Sequence, residues 1–289
     1  MTINFTRKDN IDFQVRSIRL DAANDQFIVN NQLATDDNLY FPFPLKESRS
    51  FKVKPRDFQI YLFNKVNYAC NDVFEIFVPD NSPSEANKRR LGWLFPIQAI
   101  VSDEHDYVEN EHFYPYARNA YIKLLNGDYD IAYNSQFASS SDINLETIYG
   151  KNTHVLLLYN KYLNIYKTIY GTIFNIQSFL PSFFLYGYNL ITSTTFPLFY
   201  NSSEAQRPIK NIENHNILIL PISTDLKDLT FIYYLFENAL PSCNNSLFRF
   251  HLIYQVFELL ISEVFKLEIT NIVEKLKTPR AVYSAAFGT

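Results

Sequence analysis

Three groups of side chains in this sequence have the types and spacing to do chemistry. The densest is Asp103-Glu104-His105-Asp106, followed by Glu109, Glu111 and His112. Carboxylates and imidazoles of this kind ligate hard cations or zinc. Contiguous side chains cannot all point at one ion, however, and the spacing fits neither a zinc-binding His-Glu-x-x-His helix nor a calcium loop. The run reads as a solvated acidic loop, and no metal site is assigned to it. The second group is Asp225-Leu226-Lys227, which follows the apolar run Ile217 to Leu220, with Glu213 or Glu204 upstream. A carboxylate followed by acidic-x-Lys on a neighbouring strand holds magnesium and orients a water for phosphodiester cleavage. Glu213, Asp225 and Lys227 are therefore the catalytic candidates under a nuclease alternative, which alone calls for magnesium; no cofactor is otherwise expected. Asp225 equally suits a helix N-cap. The third group is basic. Arg49, Lys52, Lys54 and Arg56 fall around one expected strand, with Phe51 and Phe58 interleaved, and Lys88-Arg89-Arg90 comes later. Cations with aromatics grip a phosphate backbone and stack bases. The preferred explanation is plainer: a charged outer face on an edge strand, which discourages aggregation.

Several chemistries are excluded. The chain of 289 residues has only 6 glycines and contains no Gly-x-Ser-x-Gly, no Walker A loop and no Gly-x-Gly-x-x-Gly. That removes the common nucleophile elbow and the common phosphate-binding loops. Cys70 and Cys243 lie far apart and form no Cys-x-x-Cys, so they read as free thiols in a reducing compartment. A net charge of −4 gives no long-range attraction to nucleic acid or anionic lipid. The polar start, Met1 to Asn10, does not read as a signal peptide, so a cytoplasmic location is expected. The wealth of Asn, Ile, Lys, Phe and Tyr suggests an AT-rich bacterial or phage gene.

The elements that must position these residues divide the chain in two. With 47% hydrophobic and 19% charged residues the composition is globular. Strands are expected at Phe13 to Leu20, Gln26 to Val29, Ser50 to Lys54, Gln59 to Phe63, Val73 to Val78 and Leu94 to Val101. Asn, Asp, Pro and Ser clusters bound them. Ser84 to Arg90 is a polar loop or short helix. The short connections argue for antiparallel pairing. Tyr116 to Leu125 reads as a helix. Tyr159, Tyr162, Leu163, Tyr166, Ile169, Tyr170, Ile173 and Ile176 recur at three and four, a helical stripe ending before Pro181. Thr168 to Ser203 carries no charge. The interruptions by Asn175, Gln177, Pro181 and Asn189 favour a buried helix and loop over a membrane segment. Ile217 to Leu220 reads as one strand and Asp228 to Leu240 as a helix stopped by Pro241. A last helix, capped by Asn245 or Ser246, runs to about Lys277. Its Ile253, Phe257, Leu260, Val264 and Leu267 form a seam suited to helix packing. The fold class is α+β: a mainly antiparallel β half (residues 1–137) and a mainly helical half (142–289), divided at the small polar stretch 138–141.

In the last helix, Leu247-Phe248-Arg249-Phe250-His251-Leu252-Ile253-Tyr254-Gln255-Val256-Phe257-Glu258-Leu259-Leu260 resembles a helix of bacterial phage-defence proteins, including HEPN-like helical domains and accessory subunits. The resemblance spans residues 247–277. HEPN ribonucleases carry Arg-x(4–6)-His. Here Arg249 and His251 stand closer than that, Arg207 and His215 farther apart, and Arg280 has no histidine after it. The resemblance therefore points to an accessory role more than to ribonuclease activity. His251, Gln255, Glu258, Ser262 and Lys266 fall on one polar stripe. With Arg249, the first three are the candidate interface residues. The aromatic surplus of 26 Phe and 21 Tyr also favours partner interfaces. The expected function is a non-catalytic accessory or adaptor subunit of a bacterial, anti-phage complex, with a protein partner or a second copy. The alternatives are a magnesium-dependent nuclease or HEPN-like ribonuclease, which would bind nucleic acid, and a membrane-associated factor.

Overall fold

The computed structural model describes residues 4–6, 12–34, 36, 38–43, 53–79, 88–102, 105, 107, 110, 112–126, 144–192, 195, 208, 210–223, 226, 229–243 and 245–277. The fold is α+β, with antiparallel sheets in the N-terminal half and helices in the C-terminal half. Strands β1 (Asn4–Thr6), β2 (Asp12–Asp21), β3 (Gln26–Asn31) and β4 (Asn38–Pro42) form an antiparallel meander. The β2–β3 turn is closed by the Asp21 carboxylate, which accepts from the side-chain amides of Asn24 and Gln26 at 3.0 and 2.9 Å. Asp25 takes a left-handed conformation there, φ 46°, which Asp tolerates better than most residues.

A second sheet contains β5 (Phe58–Asn64), β6 (Phe74–Pro79), β7 (Lys88–Pro96), β8 (Thr153–Tyr159), β9 (Asn189–Leu190) and β10 (Asn216–Leu218). Its order is β10-β6-β7-β8-β5-β9. All pairs are antiparallel except β10 with β6. That parallel contact departs from the antiparallel expectation, and the long chain between the two strands permits it. Helices follow as α1 (Gln98–Val101), α2 (Tyr114–Asn126), α3 (Leu145–Tyr149), α4 (Asn160–Tyr170), α5 (Leu180–Leu185), α6 (Leu229–Tyr234) and α7 (Ser246–Lys277).

The period-two rule sorts β8 cleanly. Val155 and Leu157 enter one core with Phe58, Ile60, Leu62, Trp93 and Phe95. Leu156 and Leu158 enter a second core on the opposite face with Phe63 and Leu94. The first core joins the sheet to the meander through α2 and α3. Phe43, fully buried, has its ring centre 5.4 Å from Phe27, 4.8 Å from Tyr121 and 5.9 Å from Tyr114. Pairs of this kind add about 0.5–1.5 kcal/mol each beyond area burial. The Tyr121 and Tyr149 hydroxyls donate to the Pro42 and Leu124 carbonyls at 3.0 and 2.6 Å, so the buried phenols are satisfied. The second core is closed by α4 and α5. It takes up much of the charge-free run: Ile176, Phe179, Leu180, Phe183, Tyr186, Tyr188 and Leu190 are buried. Thr168, Gly171, Thr172, Ile173, Asn175 and Leu185 of the run are exposed, and no described helix is long and apolar enough to cross a membrane.

Four local expectations need correction. Leu94 to Val101 is not one strand, because β7 ends at Pro96, which has no amide for the ladder, and α1 follows. Lys88–Arg90 are strand residues rather than loop or helix. The helical stripe ends at Gly171, which caps α4 in the left-handed region at φ 68°. Ile176–Phe179 beyond it is a separate 3-10 turn, and Pro181 opens α5 rather than ending a helix. Pro241 likewise does not stop the helix before it. A π-helical turn, Leu235–Ala239, continues α6 into a last turn, Leu240–Ser242, that contains Pro241. The widened turn is where the ladder absorbs the missing proline N–H. The expected division at 138–141 lies outside the described residues. The six-stranded sheet takes strands from both sides of it.

Gly92 of β7 pairs with Leu158 of β8. A Cβ there would lie 2.1 Å from the Leu157 carbonyl oxygen and 2.9 Å from the Leu158 Cα, both backbone atoms. Gly92→Ala is therefore expected to cost about 3 kcal/mol or more, at the upper end for overpacking. The urea midpoint should fall correspondingly. An unchanged midpoint would show that the strands can part without cost.

Candidate functional site

The basic candidates converge in part. Strands β5 and β7 flank β8 and run parallel to each other, so their first residues share one end of the sheet. Phe58 pairs with Tyr159, and Gly92 with Leu158. Lys88, Arg89 and Arg90 open β7 at this end. Lys54 and Arg56 stand just before β5, and the Asn160 side chain donates to the Arg56 carbonyl at 3.0 Å. Lys54 and Arg56 are not themselves strand residues, and Ser50 to Lys52 of the expected strand lie outside the described residues. Lys54 caps a 3-10 turn, Pro55–Asp57, in which its amide donates to the Asp57 carboxylate at 2.8 Å. Proline inside that segment favours the turn over a strand. Arg49 and Lys52 lie outside the described residues.

An aromatic cluster floors the same end. Phe58 stacks on Tyr159 at 5.2 Å, Trp93 on Tyr116 at 3.6 Å, and Tyr162 meets Tyr159 edge-on at 5.0 Å. Beside it, Lys88, Arg89 and Arg90 face Tyr162, Tyr166 and Tyr170 across an open groove of about 280 Å³. The tyrosines recur every four residues on α4, so they lie along one side of the helix. Arg90 is already engaged. It donates to the Glu75 carboxylate and, at 3.3 Å, to the Tyr162 hydroxyl. Its guanidinium lies 5.2 Å from the Trp93 ring centre and 5.6 Å from that of Tyr162. Arg90 thus braces the sheet against α4. Lys88 lies 4.8 Å over the Phe77 ring.

The metal and nuclease candidates are placed only in part. Asp225, Lys227 and Glu204 lie outside the described residues, as do Asp103, Glu104, Asp106, Glu109 and Glu111. Glu213 is exposed. It opens a tight hairpin in which Asn214 and His215 are left-handed, at φ 51° and 55°. His112 is exposed, whereas His105 packs 5.6 Å from the Phe113 ring and 5.9 Å from that of Tyr107. Among the described residues no three His, Cys, Asp or Glu side chains are grouped to hold a metal. Cys70 and Cys243 form no disulfide and are both partly exposed.

The sequence reading did not single out a buried histidine and a half-buried lysine beside β9. His154, fully buried on β8, packs 4.6 Å from the Tyr68 ring and 5.2 Å from that of Tyr188. Its Nδ1 lies 3.4 Å from the Asn152 carbonyl, and its Nε2 has no hydrogen-bond partner. Lys65 lies 4.4 Å over the Tyr188 ring and donates to its hydroxyl at 3.4 Å. Burial lowers the pKa of Lys65. Burial, followed by the nearby Lys65 charge, pushes His154 down to about 3. The only signal in the sequence was a histidine preceding an apolar run.

Helix α7 carries the interface candidates and a feature that outweighs them. Asn245 caps it, accepting from the Leu247 and Phe248 amides at 3.0 Å each. Gln255, Glu258 and Ser262 line a hollow of about 420 Å³ with Leu259 and with Phe231 of α6. Gln255 also lies 3.4 Å from the His251 ring nitrogen, while Arg249 is half-buried on another side of the helix. The expected packing seam is not packed. Phe257 is 56% exposed, Val264 56% and Leu267 63%. Phe250 and Ile261 beside them are 68% and 67% exposed. No family model, curated protein or solved structure matches this chain.

The pH dependence of stability follows from His154. Its proton affinity falls from 6.5 to about 3 on folding. Between those values the unfolded chain binds a proton that the folded chain refuses. Stability from this group is therefore complete above pH 6.5 and lost as pH falls, at about 1.4 kcal/mol per unit. Between pH 7 and 5 the wild type should lose about 2 kcal/mol more than His154→Phe, measured by denaturant titration at both pH values. Parallel losses in the two proteins would refute the buried neutral imidazole.

Proposed function

We propose that this chain is a non-catalytic accessory or adaptor subunit of a bacterial cytoplasmic complex, and that it works through protein–protein contacts made by α7. One observation carries this reading: the 32-residue helix α7 presents large apolar side chains to solvent along most of its length. Monomeric proteins rarely leave contiguous apolar patches above a few hundred Å² uncovered, and larger ones mark interaction surfaces. The resemblance of residues 247–277 to helices of phage-defence accessory subunits supports a role in such a complex.

A second reading draws on the shared end of the six-stranded sheet, where Lys88 and Arg89 line a groove with Tyr162, Tyr166 and Tyr170, and Lys54 and Arg56 precede β5. Cations beside aromatic rings suit a single-stranded nucleic acid or another polyanion. Under the first reading, Phe257→Glu with Ile261→Glu abolishes co-purification of a stoichiometric partner or second copy. Under the second, Lys88→Glu with Arg89→Glu abolishes retention on a single-stranded oligonucleotide column at low salt and leaves assembly intact. Helicity by circular dichroism should be unchanged in both variants, since these side chains are exposed. A wild-type chain that purifies alone, as a monomer, at micromolar concentration would overturn the first reading.

A further inference from the structure

The spacing along α7 specifies its partner. Phe250, Ile253, Phe257, Leu260, Val264 and Leu267 alternate three and four, a heptad seam with period 3.5. The same alternation places the polar Ser246 before the first of them and Asn271 after the last. Tyr254 and Ile261 flank the seam on one side, giving the wide stripe of a bundle helix. The half-buried Leu252, Val256, Leu259 and Glu263 recur on another side of α7.

We infer that α7 pairs with α7 of a second copy of this chain, antiparallel about a two-fold axis between Glu258 and Leu259. This inference rests on the reading of α7 as an assembly surface. In that register Phe250 of one copy meets Leu267 of the other, Ile253 meets Val264, and Phe257 meets Leu260. Tyr254 faces Ile261, and Ser246 falls beside Asn271 at both ends, so polar residues close the seam symmetrically. Slipping one heptad one way would set Phe250 against Glu274; slipping the other way would set Ser246 against Val264 and carry Leu267 past the partner's helix start at Ser246. A parallel pair in register would set Glu263 beside Glu268, like charges at flanking positions. The antiparallel arrangement is therefore the one the side chains fit, and it is isologous, as two-fold interfaces must be.

The area is sufficient. Seven residues of the stripe, all but Ile253, are between 36% and 68% exposed. At the size of large apolar side chains this leaves roughly 700 Å² of open surface per copy. A stable interface of standard size buries about 800 Å² per partner, and neighbouring contacts supply the remainder. The helix is about 48 Å long, so six seam positions fit within it with room beyond.

The test uses the whole chain. Sedimentation equilibrium of the purified protein should give a dimer at micromolar concentration. Phe257→Glu with Ile261→Glu should raise its dissociation constant at least about 100-fold. Orientation is read from Phe250→Cys and Leu267→Cys, each in a background with Cys70→Ser and Cys243→Ser and each tagged to a different mass. Mild oxidation of an equimolar mixture should give chiefly the mixed disulfide. Chiefly Phe250→Cys homodimers would refute the antiparallel register. A monomer that still binds a different protein through α7 would overturn the inference and leave the assembly reading standing. A monomer with no partner would overturn both.

Discussion

The structure depends on one buried strand, β8, hydrogen-bonded on both sides. Its partners β5 and β7 come from residues 58–64 and 88–96. Its side chains divide between the two cores, so neither core closes until β8 is seated. A buried backbone must pair all of its polar groups, and β8 does so through two antiparallel ladders in continuous register. The tight spot is Gly92, where the β8 carbonyl leaves no space for a side chain. Because both ladders join segments far apart in sequence, the cost of closing long loops falls before β8 contributes anything.

This arrangement explains how the aromatic surplus is used. Most described rings turn inward, where Phe43, Tyr114 and Tyr121 tie the meander to α2, and Phe63 and Phe183 pack the opposite face at 4.6 Å. The surplus is chiefly internal packing. On α7 the same residue types face outward. An interior full of satisfied rings and a helix of bare ones have different physical meanings, even though the composition reports them as a single number.

How much was legible varied with local pattern. Strands β2, β3, β5 and β6 showed as short runs with polar boundaries, and α2 and α7 through their apolar spacing and end signals. The fold class followed from those. β8 did not show, for a definite reason: Val155-Leu156-Leu157-Leu158 is apolar on both faces, and a central strand of that kind has no period to distinguish it from the start of a helix. It also runs directly into α4, whose helical stripe begins at Tyr159. The basic end of the sheet was half legible. The cations were visible as two separate groups, but only the register of β5 and β7 against β8 joins them. The His154 and Lys65 pair was invisible, because the two are 89 positions apart and meet only across the sheet.

The two candidate surfaces differ in what the fold has already consumed. At the basic end, Arg90 is held by Glu75, Tyr162 and Trp93, and Trp93 is stacked on Tyr116. Two of the groups best suited to a ligand are therefore engaged in joining α4 and α2 to the sheet. An exposed cation that remains contributes little on a chain of net charge −4, because salt screens surface charge within about 10 Å. On α7 the large apolar side chains of the seam, Ile253 apart, are 36–68% exposed. Side chains whose burial is favourable at roughly 25 cal/mol per Å² stand in water on a helix already formed and capped. The ordering entropy of that segment is largely spent before any partner arrives, which is the condition under which exposed apolar area converts most fully into affinity.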